Sequence, residues 1–249
     1  MFKFRPDDVV IVSYPKSGST WLRFMLAHLI SDILLGEPKE IDFFRAQLIV
    51  PEISEQAQRE GVDFNALPSP RIMRSHSLYN PGFPKVIYLL RDGRDVLISY
   101  YYHFKKFHSF NGTLYDFILS NVRGIEWDKH VNSWLFDNHS LSNIFVIRYE
   151  DMLRDPVEEL KRLLDFIDIS GPSEKIREAV NNSDFDIMRK MEENKGLGYV
   201  EQGDRKIKFV RKGQKGNWKE DFRDKEKAAV KKIYGETLIK VKYEDSNQW

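Results

Sequence analysis

The sequence predicts an α/β fold, in which helices flank a parallel β-sheet within a single domain spanning residues 1–249. One observation is that short β-branched runs alternate with longer helical segments, which is typical of parallel sheets. Another is the length of 249 residues with 41% hydrophobic content, which is enough for one sizeable core.

The first half of the chain supplies two strand–helix pairs. A buried strand is predicted at Val9–Val12, and the apolar segment Thr20–Ile30 is predicted to form a buried helix after a polar loop. Lys85–Leu90 is the second predicted strand, and residues 92–107 form the helix that follows it. Residues 36–82, rich in proline and aromatic residues, are expected to be less regular.

The second half repeats the pattern. A third strand is predicted over residues 143–149, and Pro156 begins a helix that ends near Ile167, with Asp155 as its N-cap. Residues 194–217 contain five glycines and are expected to form a long mobile loop. A charged amphipathic helix is expected from Lys225 to about Lys242.

Composition excludes several classes of protein. Charged residues make up 31% of the chain but leave a net charge of only +1, so a nucleic-acid partner is not expected. The absence of cysteine excludes disulfides and Cys-based zinc sites. No apolar run is long enough to span a bilayer or to serve as a leader, and we expect a cytoplasmic protein.

The loop Tyr14–Trp21 (Tyr-Pro-Lys-Ser-Gly-Ser-Thr-Trp) joins the first strand to its helix. Backbone N–H groups at a helix N-terminus attract phosphate, and Gly18 allows a close approach. The predicted fold is therefore P-loop-like. Lys16 precedes the glycine, however, and no Gly-Lys pair occurs in the chain, unlike the ATP-binding Walker A loop. An ordinary polar turn is the alternative interpretation of this loop.

With Ser13 included, this loop resembles the 5'-phosphosulfate loop of sulfotransferases that use 3'-phosphoadenosine-5'-phosphosulfate (PAPS). The resemblance implies that the loop holds the phosphosulfate and that its tryptophan stacks on the adenine. The implied donor contacts are Lys16, Ser17, Gly18, Ser19, Thr20 and Trp21.

A second stretch, Leu90–Phe104, resembles the strand and helix with which the family binds the 3'-phosphate, and this implies contacts from Arg91 and Ser99. Arg91 lies at the predicted carboxyl end of a strand, where α/β proteins bind ligands, and its guanidinium suits phosphate. A salt bridge to Asp92 or Asp95 is the alternative role for this arginine.

A third stretch, residues 211–219, resembles the family's Arg-Lys-Gly-x-x-Gly-Asp-Trp-Lys, with Asn217 where aspartate is usual. It implies further phosphate contacts from Arg211, Lys212 and Gly213. Weaker matches place Tyr149, Ser183 and Phe185 around the adenine, with Phe185 opposite Trp21, although core packing explains Phe185 equally well. The resemblance extends from residue 10 to about residue 222.

The implied reaction is in-line transfer of a sulfuryl group from PAPS to a hydroxyl or amine, with adenosine 3',5'-bisphosphate (PAP) as product. Positioning and charge stabilisation dominate such transfers. Lys16 is expected at the leaving oxygen, Ser99 is also counted among the catalytic residues, and no metal is expected. His76, within Arg74–Leu78, resembles the family's Lys-Thr-His-Leu element, so it is the expected general base.

The other histidines are assigned non-catalytic positions. His28 and His103 fall inside predicted helices, where structural roles are favoured, and His108, His130 and His139 are predicted at the surface. Some distant sulfotransferases use a glutamate base, which leaves an alternative to His76.

The acceptor is expected to be a small molecule, aromatic or hydrophobic in character, although Lys206 and Lys208 suggest an anionic acceptor instead. The aromatic residues proposed to line its pocket are Phe43, Phe44, Tyr79, Phe83, Phe107 and Phe110. The oligomeric state stays open, because Arg223-Asp224 and Ala228 depart from the dimer motif of animal members.

Two other functions remain possible from the sequence. A P-loop small-molecule kinase would bind ATP and magnesium, but its Gly-Lys-Ser/Thr signature is missing. A non-catalytic nucleotide-binding paralogue would bind the donor without turnover.

Overall fold

The computed structural model describes residues 2–36, 40–54, 62–137, 141–197, 210 and 213–249. Within these ranges one sheet contains four parallel strands in the order β2-β1-β3-β4. The strands are β1 Val9–Ser13, β2 Ile72–Ser75, β3 Lys85–Leu90 and β4 Ile144–Arg148. The predicted α/β class and the three predicted strands are confirmed, and β2 is a fourth strand within the segment expected to be less regular.

Helices lie on both faces of this sheet. In the described residues they are α1 Ser19–Leu29, α2 Phe43–Ile49, α3 Gly93–Phe107, α4 Leu114–Leu119, α5 Trp127–Leu135, α6 Tyr149–Arg154, α7 Pro156–Phe166, α8 Ser173–Asn182, α9 Phe185–Lys195, α10 Trp218–Asp221 and α11 Asp224–Lys240. One turn of π-helix, Ile30–Leu34, continues α1.

Two hydrophobic clusters cover the two faces of the central strands. Every residue of β1 is buried, because successive side chains point to opposite faces and both faces are covered. Val9 and Ile11 pack into the cluster that includes α1. Val10 and Val12 pack into the cluster that includes residues of α3, α5 and α11.

The ends of the helices follow the expected sequence signals. Asp155 accepts a hydrogen bond from the Glu158 N–H at 3.0 Å, and Pro156 occupies the first turn of α7, so the predicted cap is confirmed. The C-terminal amphipathic helix is also present, as α11. Among the described residues, no helix is both long and apolar enough to cross a bilayer.

A buried ion pair joins β1 and β2 at the amino edge of the sheet. Arg71 Nε donates to Asp8 Oδ1 at 2.7 Å, and both side chains are at most 2% exposed. At the opposite edge, Ser13, Ser75 and Leu90 end three adjacent parallel strands. The next two strands, β2 and β3, lie on opposite sides of β1. Parallel α/β sheets bind ligands at the carboxyl edge where the strand order changes direction in this way.

Candidate active site

The loop after β1 leaves the N-terminus of α1 open. Its N-cap residue, Gly18, has φ +102°, and no side chain caps the helix. A Cβ at this position would lie 2.5 Å from the ring of Tyr149, so both the conformation and the close packing require glycine. The backbone of the loop is therefore free to approach an anion at a helix N-terminus.

Lys16 brings a positive charge to this loop. Burial, together with the nearby cations Arg91 and Arg74, lowers the pKa of its ammonium to about 7, while Glu192 opposes them. A lysine surrounded by cations in this way is well placed to bind an anion, since an anion would restore its charge.

Arg91 follows β3 and connects two loops. Its guanidinium donates to the Lys16 carbonyl at 3.1 Å and to the Gln214 carbonyl at 3.2 Å, and it stacks 4.2 Å from the centre of the Tyr149 ring. Of the two suggested salt-bridge partners, Asp92 instead binds Arg94 at 2.7 Å, and Asp95 accepts hydrogen bonds from the backbone N–H groups of Gly216 and Trp218.

His76 is fixed from the end of β1. Because Val12 pairs with Ser75, the next residues, Ser13 and His76, lie side by side. His76 Nδ1 lies 2.6 Å from the Ser13 carbonyl oxygen. A carbonyl only accepts, so Nδ1 carries the proton and Nε2 is left as an acceptor. Burial, with help from Arg74, lowers the pKa of His76 to about 4, which keeps the imidazole neutral near pH 7.

Arg74 on β2 organises the polar groups next to His76. The Arg74 N–H donates to the Pro51 carbonyl, and the Ile53 N–H donates to the Arg74 carbonyl. Glu52 lies between these two neighbours, and its carboxylate forms an ion pair with the Arg74 guanidinium. The same guanidinium donates to Ser19 Oγ at 3.3 Å. Burial raises the pKa of the Glu52 carboxyl, but the nearby Arg74 and His76 outweigh burial and hold that pKa below its usual value.

One cavity of about 410 Å³ brings these groups together, within the range of small-ligand sites. Ser17 and Ser183 are buried and do not line this cavity. Arg211 and Lys212 lie outside the described residues. The predicted site residues that line it are Lys16, Gly18, Ser19, Thr20, Trp21, His76, Arg91, Ser99, Tyr149, Phe185 and Gly213.

Aromatic rings form one end of the cavity. The Trp21 and Phe185 rings have centroids 5.0 Å apart and are tilted by 40°, and Tyr149 meets Trp21 edge-on at 5.9 Å. Trp21 Nε1 donates to the Ser183 carbonyl at 3.0 Å, which fixes the indole. Phe185 lies so close to Gly213 that a Cβ there would be 2.7 Å from its ring. This wall offers flat apolar surface for a base.

Several lining residues were not predicted. Arg23 follows Ser19 by one helical turn, and its charge within an otherwise apolar helix was the available signal. His103, for which a structural role is predicted, lines the cavity, and so does Tyr100. Gln47 comes from α2, and its position gave no sequence signal.

Other expectations were wrong. His130, predicted at the surface, is 1% exposed, and its Nδ1 lies 2.9 Å from the Tyr88 hydroxyl. Of the six proposed acceptor-pocket aromatics, Phe43 lines the cavity, whereas Phe44 is 53% exposed and Phe83 packs in the core. Tyr79, Phe107 and Phe110 also pack around the hydrophobic clusters. His139, Lys206 and Lys208 lie outside the described residues.

Three buried polar atoms of the predicted site residues have no hydrogen-bond partner within the described part of the chain: Ser17 Oγ, Arg91 Nε and Ser183 Oγ. Buried polar atoms are normally satisfied, so the unsatisfied Nε of Arg91, which lines the cavity, fits a polar ligand there. No group of three or more metal-ligating side chains occurs within the described ranges.

Comparison with known proteins identifies the family. The sulfotransferase domain family matches residues 6–242. The chain belongs to the sulfotransferases, enzymes that use PAPS as sulfate donor. It is 32% identical over 244 residues to Sulfotransferase 1 family member D1 of Mus musculus, covering 89% of this chain and 80% of that protein. It is likewise 32% identical to Sulfotransferase 1B1 of Mus musculus, covering 89% and 79% of the two chains.

Solved structures show the same fold. Retinol dehydratase in complex with androsterone and PAP matches this sulfotransferase with a TM-score of 0.72 at 22% identity, over 95% of this chain and 82% of that one. A mouse sulfotransferase complexed with PAP matches with a TM-score of 0.70 at 23% identity, over 95% and 85%.

Proposed function

We propose that this sulfotransferase transfers a sulfuryl group from PAPS to a hydroxyl or amine of a small-molecule acceptor, with His76 as general base. The observation that carries the proposal is the shared cavity. Lys16, Arg91 and Ser99 line the same 410 Å³ space as His76, although the four residues come from three different segments of the chain.

The charged and aromatic side chains that line the cavity support PAPS as the donor. PAPS, when bound, supplies the sulfuryl group and a stable phosphate leaving group. Lys16 is proposed to stabilise charge on the leaving oxygen, and Arg91 with Ser99 to bind the 3'-phosphate. The aromatic wall of Trp21, Tyr149 and Phe185 would contact the adenine, and Arg91, whose buried Nε is unsatisfied, stacks on the Tyr149 ring.

His76 suits proton abstraction because its tautomer is fixed. Nδ1–H donates to the Ser13 carbonyl, and Nε2 is therefore proposed to accept the proton of the acceptor hydroxyl or amine. The lowered pKa keeps the ring unprotonated at neutral pH, and negative charge on a bound donor would raise that pKa and strengthen the base.

The acceptor is proposed to have an apolar body with one or more polar groups. Phe24, Phe43, Met188, Leu197 and Val210 line the cavity together with the polar side chains described above. Retinol dehydratase, a structural neighbour, has been solved with androsterone and with retinol. A cytoplasmic location and a single-domain chain also remain proposals.

The test is transfer of radioactive sulfate from labelled PAPS to a panel of phenols, alcohols, steroids and amines. We expect turnover with at least one acceptor, and a loss of roughly 100-fold or more in His76→Ala, in line with the contribution of a general base. Equal turnover by His76→Ala would show that another group is the base, and Glu52 would be the next residue to test.

Thermal stabilisation separates the alternatives. Stabilisation by PAP but not by ATP with Mg²⁺ supports the proposal, whereas the reverse result supports a kinase. Stabilisation by PAP with no transfer to any acceptor supports a non-catalytic role. His28→Ala serves as the control variant, because His28 does not line the cavity.

A further inference from the structure

Asp95 is a buried carboxylate close to the cavity but not part of its lining. It lies in the first turn of α3, is 1% exposed, and follows Arg91 by four residues. Ser99 follows it by four more, so Asp95 occupies the helical turn between the two proposed 3'-phosphate contacts. The chemistry proposed above assigns this side chain no role.

The partners of Asp95 are backbone groups of the turn Gly213–Trp218. Its Oδ2 accepts from the Gly216 N–H at 2.6 Å, and its Oδ1 accepts from the Trp218 N–H at 3.0 Å. An ionised carboxylate accepts at both oxygens, and such charge-assisted hydrogen bonds are stronger than neutral ones. Asp95 therefore fixes where this turn lies relative to α3.

The turn forms part of the cavity wall. Gly213, Gln214 and Asn217 line the cavity. The Gln214 carbonyl accepts from Arg91 at 3.2 Å and from Asn217 Nδ2 at 3.1 Å. A displacement of the turn would consequently move a hydrogen-bond partner of the Arg91 guanidinium.

We propose that Asp95 is a positioning residue that holds the Gly213–Trp218 turn against α3 and thereby sets the selectivity of the cavity for a nucleotide with a 3'-phosphate. The inference rests on the proposed use of PAPS. Asp95 acts through the turn and Arg91, and its own carboxylate does not touch the ligand. The loop after β1 holds the 5'-phosphate end of the nucleotide, so binding of that end depends much less on Asp95.

The experiment measures dissociation constants for PAP and for adenosine 5'-phosphate, which lacks the 3'-phosphate, by titration calorimetry. Asp95→Asn keeps the size of the side chain but turns an NH₂ group towards one backbone donor. We expect its affinity for PAP to fall by about tenfold or more, with the affinity for adenosine 5'-phosphate changed by less than about twofold. If the ratio of the two dissociation constants is the same in Asp95→Asn as in wild type, the inference is overturned.

Asp8→Asn is the matched control, because Asp8 is also a fully buried carboxylate but lies at the opposite edge of the sheet. It should lower stability and leave the ratio unchanged. If Asp95→Asn fails to fold, Asp95→Glu keeps the charge and displaces the turn by one methylene. A wild-type ratio in that variant also overturns the inference.

The wild-type protein distinguishes this inference from the function on which it rests. Wild type that binds PAP no more tightly than adenosine 5'-phosphate contradicts the proposed function. Wild type that prefers PAP, with a variant that prefers it equally, contradicts only the role of Asp95.

Discussion

At the scale of single residues, the loop Tyr14–Trp21 depends on a glycine that two independent constraints specify. Gly18 has φ +102°, which favours glycine, and a Cβ would collide with the Tyr149 ring at 2.5 Å. The first constraint concerns the backbone alone, whereas the second concerns packing across the site.

Substitution by alanine separates these constraints. We expect Gly18→Ala to lower the free energy of unfolding by at least ~2 kcal/mol, since strain and collision add, and to weaken PAP binding. Gly36→Ala is the control, because Gly36 has φ +61° with nothing within 4 Å of its Cβ position, and it should cost only about 1 kcal/mol. Urea denaturation measures both, and equal losses would contradict the argument from packing.

Lys16 predicts a pH dependence of donor binding. Its pKa of about 7 in the free protein means that the ammonium is lost as pH rises above 7, while a bound anion raises that pKa. PAP affinity should therefore fall between pH 7 and 9, by at most about tenfold per pH unit.

Calorimetry in two buffers with different ionisation enthalpies measures the proton taken up on binding of PAP. Lys16→Met should bind more weakly at pH 7 and lose this proton uptake. Uptake of a proton by Lys16→Met equal to that of wild type would assign the titration to another group.

At the scale of elements, α3 connects the two ends of the cavity. Asp95, Ser99 and His103 lie on successive turns, and Lys106 in the last turn pairs with Glu192 of α9 at 3.1 Å. Both side chains are at most 4% exposed, and Glu192 Oε2 also accepts from the Val210 N–H at 2.8 Å. The pair thus joins α3, α9 and the cavity wall at Val210.

Removal of one buried partner should be costly. We expect Lys106→Met to lower the free energy of unfolding by about 3 kcal/mol, because it leaves a buried carboxylate uncompensated. Adding Glu192→Gln to that variant should recover part of the loss, and a double-mutant cycle in urea measures the coupling. A loss below about 1 kcal/mol in Lys106→Met would show that the pair is not coupled to folding. The exposed pair Lys240–Glu236 serves as the control.

At the scale of the whole molecule, neutral histidines are held within the fold. Burial is the main cause that lowers the pKa of His76 to about 4 and that of His103 and His130 to about 3. In the unfolded chain each titrates near 6.5, so the unfolded state binds more protons below that pH. The contribution of these neutral histidines to the free energy of unfolding is therefore fully present above pH 6.5 and is lost as pH falls towards 4.

For each of these histidines, the free energy of unfolding should fall by about 1.4 kcal/mol per unit decrease in pH within that window. Urea unfolding at pH 7.5, 6.5, 5.5 and 4.5 measures the total slope. His130→Gln removes one buried titrating group and should flatten the curve by about that amount. A flat profile in wild type would contradict the burial argument.

The sequence predicted the elements that local signals specify. Buried β-branched runs, the Asp155-Pro156 cap and the polar loop before Thr20 each reflect short-range physics, so the α/β fold and the loop that precedes α1 could be predicted from them. Strand β2 was less evident, because only four residues form it and its neighbours are irregular. Arg91 and His76 were identified by motif, but their partners, the carbonyls of Gln214 and Ser13, are distant in sequence.

The sequence by itself determined the fold class, the family resemblance and the loop that begins α1, because these depend on residues that are neighbours along the chain. Tertiary structure alone decided that His103 and Arg23 line the cavity, that His130 is buried, and that most of the proposed acceptor aromatics are core. The physical reason is that burial and charge–charge proximity depend on which elements pack together. A helix shows the period of its own side chains but not the neighbours that cover them.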